Sequence, residues 1–194
     1  MNHERILNSI RKLQTILEEE GVNPVNGLPI ELFLFSTTLL PFVNVDLWVM
    51  DKMGRVLLTW RDDPYYGKGW HIPGGCIRMK ESMETRIQET AVRELGCKVV
   101  YEKKPLLVYE TIFSQTRAKL SDQLERAHNI GIVYNCVLEN SDKVDITEKS
   151  ILREGDARWF DKMPDNLIEC HKEVYASLFE NKPKYVGQHI QNKF

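Results

Sequence analysis

Residues 70–97 run Trp-His-Ile-Pro-Gly-Gly-Cys-Ile-Arg-Met-Lys-Glu-Ser-Met-Glu-Thr-Arg-Ile-Gln-Glu-Thr-Ala-Val-Arg-Glu-Leu-Gly-Cys. Two glycines after Pro73 let the backbone approach a ligand or metal closely and leave their carbonyls and amides available as ligands. The chain then enters a helix, expected from about Ser82 to Leu95, whose N-terminus favours phosphate. Met83, Ile87, Ala91 and Leu95 step by four and form the stripe expected to be buried. Positions 86, 90, 93 and 94 share a different face, from which Glu94 projects with Arg93 and Thr90. A glycine-loop carbonyl at Gly74 with a helical carboxylate at Glu94 is a hard oxygen site, better suited to Mg²⁺ than to Zn²⁺.

Working outward, Val43, Val45, Leu47 and Val49 alternate with Asn44, Asp46, Trp48 and Met50, as in a strand. Asp51 to Gly54 supplies a turn, and Val56-Leu57-Leu58 starts the return strand. Further strands are expected at 98–101, 106–113, 128–138 and 156–160. A last helix is expected over 165–180, with Leu167, Ile168, Val174, Tyr175 and Leu178 on its apolar side. Ahead of these, residues 4–20 read as an amphipathic helix with Ile6, Leu7, Ile10, Leu13, Ile16 and Leu17 on one side. That stripe needs a surface, either on the domain itself or on a second subunit. Residues 30–36 are apolar and short enough for strand or helix. The order gives an α/β layered domain, divided as an N-terminal helix and extension (1–36), the domain proper (37–180) and a polar, loosely held tail (181–194). The dinucleotide pattern G-x-G-x-x-G and the P-loop pattern are both missing, which makes those two readings poor.

The chain has 194 residues, of which 42% are apolar, enough for a full core in one domain with an appendage. The formal net charge of −2 argues against a nucleic-acid binder but leaves room for a local basic pocket. Cys76, Cys97, Cys136 and Cys170 show no C-x-x-C spacing and are expected to be free thiols in a reducing cytoplasm. The N-terminus lacks the apolar core of a signal peptide, and the sequence has no run of about 18 apolar residues. A cytoplasmic protein with no membrane association is therefore expected.

The segment resembles a Nudix box, with the family pattern G-x5-E-x7-R-E-U-x-E-E-x-G-U. Gly75, Glu81, Ala91, Glu94, Gly96 and Cys97 stand in register with it. Glu89 replaces the arginine, Thr90 the first glutamate of the following pair, and Arg93 the glutamate before Glu94. The resemblance implies a Nudix-type α/β/α sandwich with a mixed sheet. It also implies Mg²⁺, with Mn²⁺ as the alternative, and a small nucleotide substrate. With one well-placed carboxylate, about one metal ion is expected.

A box reduced in this way is similar to the GDP-mannose mannosyl hydrolase branch of the family over roughly residues 40–160. Val43-Asn44-Val45-Asp46 and Leu57-Leu58-Thr59-Trp60-Arg61 resemble the branch's paired strands. The resemblance implies that Glu94 and the Gly74 carbonyl bind the metal. It implies that Arg61 holds the diphosphate, and that Asp46 orients or stabilises the sugar as charge develops at C1. Water attacking C1 would release the nucleoside diphosphate by C–O cleavage. The branch's glutamine-histidine pair before the last core strand is Arg153-Glu154 here, so the expected histidine is missing. Glu154 is then a candidate base or further metal ligand, or a surface carboxylate. His128, with Arg126 beside it, is a second candidate, and His171 a weaker one. Arg78 is a candidate phosphate contact, because the branch's arginine after the second glycine is Cys76 here. Arg93 either faces the phosphates or pairs with Glu89 one turn away. Trp60, Tyr65 and Trp70 serve either stacking or packing. The competing activities are P–O cleavage of a nucleoside diphosphate-linked compound, such as ADP-ribose, and nucleotide binding without turnover. A homodimer is compatible with the N-terminal helix.

Overall fold

The structure is a computed structural model that describes residues 2–63, 67–112 and 128–186. Tyr65, Arg126 and the tail beyond Val186 lie outside the described residues. The elements in order are α1 (His3–Glu19), a 3₁₀ turn (Pro24–Asn26), α2 (Ile30–Thr37), β1 (Phe42–Val49), β2 (Val56–Asp63), β3 (Gly67–His71), β4 (Gly74–Cys76), α3 (Met83–Leu95), β5 (Val99–Tyr101), β6 (Leu107–Ile112), β7 (His128–Leu138), β8 (Ala157–Phe160) and α4 (Glu169–Glu180).

The larger sheet runs β4-β1-β7-β5, with β6 also on β7. β1 and β7 are parallel, from Phe42 opposite Asn129 to Val49 opposite Cys136. β4, β5 and β6 pair antiparallel, so the sheet is mixed, as expected. β5 and β6 share one edge of β7, the first along its C-terminal end and the second along its N-terminal half. A second, antiparallel sheet runs β3-β2-β8.

β1 is the axis of the molecule because helices cover both of its faces. Val45, Leu47 and Val49 pack in one core with Ile87, Ala91 and Leu95 of α3. Trp48 and Met50 pack in another with Tyr175 and Phe179 of α4. This is the helix–sheet–helix layering expected for an α/β/α sandwich, and burial on both faces explains why the polar half of the alternation is itself out of water. Each fully buried Leu or Ile here contributes about 1.5–3 kcal/mol. Ser82 caps α3 by accepting from the Thr85 amide, and Gly96 ends it in the left-handed region at φ 71°. Met83, the first residue of the expected stripe, is exposed. Arg86 and Thr90 are buried instead, because Gly75 of β4 lies against them.

Elsewhere the structure departs from the expected elements or completes them. α4 starts at Glu169, not 165. Residues 166–168 lie extended beside β3, where the Trp70 amide donates to Asn166 O and the Ile168 amide to Trp70 O. Residues 30–36 are helical. The segment after α4 is anchored as far as it is described: Val186 is buried, and Asn135 Nδ2 donates to Lys184 O at 2.8 Å. α1 forms as expected, but it buries no residue, and Ile6, Leu7, Ile10, Leu13 and Ile16 are all exposed. The four cysteines, all among the described residues, form no disulfide. No helix among the described residues is long and apolar enough to cross a membrane.

Candidate active site

β1 and β4 bring Asp46 opposite Gly74, Val45 opposite Gly75 and Asn44 opposite Cys76. The two glycines permit a close approach, but to the protein's own side chains. A Cβ on Gly74 would collide with Asp46 Oδ1. One on Gly75 would lie 2.6 Å from Thr90 Oγ1 and 3.1 Å from Arg86 Cδ. The loop is thus pressed against β1 on one side and α3 on the other.

A cavity of about 900 Å³ opens beside this junction. Its walls come from the α2 region, β1, the 74–79 loop, α3, β6, β7 and α4. Asp46 is the one carboxylate on its lining among the described residues, whereas Arg61, Arg78, Arg86 and Arg93 all line it. Such a lining attracts a small anion. Leu28, Ile30, Phe33, Leu40 and Phe42 give the cavity an apolar side drawn from the residues around α2.

Glu94 lies behind this lining. Its carboxylate accepts from Arg93 Nη2 at 2.7 Å, from His71 Nε2 at 3.1 Å, and from Arg61 Nη2 and Thr59 Oγ1 at 3.4 Å each. Burial opposes its ionisation. The His71 hydrogen bond and charge, with Arg61 and Arg93, outweigh that and hold it at about 2. His71 Nδ1 donates to Thr59 O at 2.8 Å, an acceptor-only group, which fixes the ring with Nε2 toward Glu94. Glu94 therefore positions Arg61, His71 and Arg93, three groups that do line the cavity.

Arg93 ignores Glu89. Its Nη2 also donates to Gly74 O at 2.7 Å and so joins the loop carbonyl to the helix carboxylate. Glu81, in register with the family pattern, is bound by the buried Arg86 through Nε (2.8 Å) and Nη2 (2.5 Å) and by the Arg78 amide at 2.9 Å. Burial raises the Glu81 pKa, but these bonds and charges prevail and keep it below the usual range.

Asp46 has neutral partners. Its Oδ2 accepts from Tyr109 Oη at 2.7 Å and Tyr175 Oη at 2.8 Å. Burial pushes its pKa up to about 6, against the pull of the two hydroxyls and with help from the Glu94 charge. The same burial, together with the Asp46 charge, pushes both tyrosines well above their usual range, so they stay as donors. His171 lines the cavity, and its Nδ1 accepts from the Ile72 amide at 3.3 Å. Burial, then the His71 and Arg61 charges, lower it to about 3, so it is neutral with its proton on Nε2. The Oδ1 atoms of Asn44 and Asn129, also on the lining, are buried without a hydrogen-bond partner.

The structure thus gathers Asp46, Arg61, Gly74, Arg78 and Arg93, with Glu94 behind them. It does not gather Glu154 or His128. Glu154 accepts from the Asp62 amide at 2.6 Å, and His128 pairs with Glu110 at 2.9 Å. Trp60 and Trp70 pack edge-on in the α4-side core, 5.2 Å between ring centroids, so packing is their role. Nothing in the sequence pattern singles out His71, Tyr109 or Tyr175 as members of the site, and Arg86 is marked only by sharing the helix face of Glu94.

A Mg²⁺ or Mn²⁺ ion needs several hard oxygens. Among the described residues, no group of three His, Cys, Asp or Glu side chains is placed to hold a metal. The two oxygens that the resemblance assigns to it, Gly74 O and Glu94 Oε1, are bridged by a guanidinium. This donor arrangement does not fit such an ion.

Comparison with known proteins matches the NUDIX domain profile to residues 40–177. No curated protein matches significantly. Among solved structures, the chain is similar to a MutT NUDIX hydrolase from Burkholderia pseudomallei (21% identity, TM-score 0.54, 74% of this chain and 99% of that one). It is also similar to a MutT protein from Methanosarcina mazei Go1 (18% identity, TM-score 0.53, 74% and 97%). A structure described as a UDP-X diphosphatase matches at 18% identity and TM-score 0.50 over 92% of this chain and 82% of that one, a share that requires residues before Leu40 to be included. The β4-to-α3 junction, the mixed sheet clasped between helices and a profile match across most of the chain agree: the protein belongs to the NUDIX domain family.

Proposed function

We propose that the chain hydrolyses a nucleoside diphosphate linked to a sugar, of the GDP-mannose kind, breaking the C–O bond so that the nucleoside diphosphate leaves intact. The observation that supports this most is the lining of one cavity by four arginines and a single carboxylate whose partners are tyrosine hydroxyls.

In this reading Arg61, Arg78 and Arg93 bind the diphosphate, and the first and last meet the charge that builds on it as the bond breaks. Glu94 is a positioning residue that aims Arg61, Arg93 and His71. Asp46 faces the sugar, and its ionised form stabilises the positive charge at C1 or takes the proton of the attacking water. The neutral His171 serves as a donor, since its Nδ1 is occupied by the Ile72 amide. The apolar side near α2 receives the base. The general-base role for which Glu154 and His128 are candidates passes to Asp46, because neither of those lines the cavity.

A P–O-cleaving activity is the second reading. It is favoured by the match to the UDP-X diphosphatase, which runs into the N-terminal segment. Incubation with a panel of nucleotide sugars in ¹⁸O-water, with Mg²⁺ and separately with EDTA, decides between them. Nucleoside diphosphate and ¹⁸O-labelled free sugar support C–O cleavage. Nucleoside monophosphate and sugar phosphate sink it in favour of the second reading. Saturable binding without turnover makes the domain a nucleotide-binding module.

A further inference from the structure

The position between the glycine loop and α3 is filled by a side chain of the protein itself. Arg93 Nη2 lies 2.7 Å from Gly74 O and 2.7 Å from Glu94 Oε1, the two oxygens that would otherwise meet a cation there. The other Glu94 oxygen accepts from His71 and Thr59, and Arg61 adds a second guanidinium to the first. One turn before Glu94, the neutral Thr90 is fully buried against Gly75 with its hydroxyl unpartnered, so that position offers neither a second carboxylate nor space for one. A divalent ion would have to displace Arg93, separate Glu94 from its donors and lie among the Arg61, Arg93 and His71 groups that now hold that carboxylate.

We propose that the Arg93 guanidinium stands in place of a divalent cation between Gly74 and Glu94, so that the site grips the diphosphate of its ligand through arginines and without a metal ion. The proposal rests on the function above only in naming a diphosphate as the ligand. A guanidinium suits the task. It is charged at every working pH and carries five N–H donors in a rigid fork matched to phosphate oxygens. One nitrogen of Arg93 is engaged by the protein, and the side chain is 49% exposed and lines the cavity, so a diphosphate can reach the remaining donors. Arg61, held by the same carboxylate, lies beside it.

Two measurements on the full chain test this. Mn²⁺ titration followed by electron paramagnetic resonance should show no one-to-one binding in the micromolar range for the wild type. Arg93→Glu, which sets a second carboxylate beside Glu94, should tighten Mn²⁺ binding by about tenfold or more. Calorimetric titration with GDP and with inorganic pyrophosphate should give affinities within about twofold in EDTA and in Mg²⁺. In EDTA, Arg93→Ala should weaken both by about tenfold, and Arg93→Lys should recover part of the loss, since an ammonium keeps the charge but not the fork. Stoichiometric micromolar Mn²⁺ binding by the wild type, or diphosphate binding that vanishes in EDTA, overturns the proposal. Failure of the hydrolase reading looks different: pyrophosphate binds in EDTA while no nucleotide sugar is turned over. Mg²⁺-dependent turnover by a wild type that binds Mn²⁺ does the reverse, sparing the hydrolase and removing this inference.

Discussion

Asp46 and Glu94 are two carboxylates of one site, and their surroundings drive them in opposite directions. Burial works against ionisation at both. Asp46 meets two neutral tyrosine hydroxyls, and its pKa climbs to about 6. Glu94 meets His71, Arg61 and Arg93, and its pKa falls to about 2. Partner charge decides the outcome, and burial only sets the scale. The consequence is a division of labour. Glu94 never changes protonation near neutral pH and holds cationic groups in place, while Asp46 faces the cavity and titrates within a unit or so of neutrality, where a reacting group is useful.

The contrast breaks most easily at Glu94. Glu94→Gln leaves Arg61, Arg93 and His71 around a neutral amide, so turnover should fall by about 100-fold or more. Stability at pH 7 should drop by about 3 kcal/mol, with half-exposed Arg93 contributing the least. Chemical denaturation and steady-state assays on the same preparation measure both. Unchanged stability would show that Glu94 does not hold these groups. The sign for acid follows from its depressed pKa: the stability that Glu94 contributes is present above its usual 4.5 and is lost as pH falls through about 2.

Asp46→Asn should do the opposite to stability. Because the folded pKa is raised, the Asp46 contribution is fully present below 3.8 and is lost as pH rises through about 6. Asparagine removes that loss, so the variant should be more stable than the wild type at pH 8 by up to about 3 kcal/mol. At pH 4 the two should converge. Turnover should vanish in the variant, and wild-type activity should rise with pH through about 6 as Asp46 ionises. A destabilised Asp46→Asn at pH 8, or a wild-type rate flat from pH 5 to pH 8, removes Asp46 from the chemistry.

The sequence made one half of this contrast easier to read than the other. Glu94 stands at a family position on a helix whose period is plain, and the loop that Arg93 ties to it lies 19 residues before Arg93, at Gly74. Asp46 could be placed on β1 by alternation, but its hydroxyl partners are 63 and 129 residues away, on β6 and α4. No local pattern reports such contacts. The one trace is Gly131 within the long apolar run of β7, since any Cβ there would collide with the Tyr109 ring. The glycine pair at 74–75 was legible as a close approach, but whether to a metal or to the protein's own Asp46 and Thr90 depends on side chains from other elements. Helical period has the same limit in α1 and α3. Both show a stripe, yet only the stripe of α3 meets a core, because periodicity says which residues face together and nothing about what they face.

The smallest expected effect tests whether the helix–loop contact between the two carboxylates is closed. Thr90 Oγ1 is fully buried, pressed toward Gly75, and makes no hydrogen bond. Thr90→Val exchanges that hydroxyl for a methyl group of nearly the same volume. An orphaned buried hydroxyl costs about 1–3 kcal/mol, so its removal should stabilise the fold by about 1 kcal/mol once the tight contact with Gly75 is allowed for. Arg93 and Glu94 lie on the next turn, and their bonds do not pass through Thr90, so turnover and diphosphate affinity should stay within about twofold of wild type. If Thr90→Val instead abolishes turnover while the fold gains stability, the hydroxyl acts on the ligand or on a group that it binds. The division between a structural Glu94 end and a chemical Asp46 end would then have to be redrawn around α3.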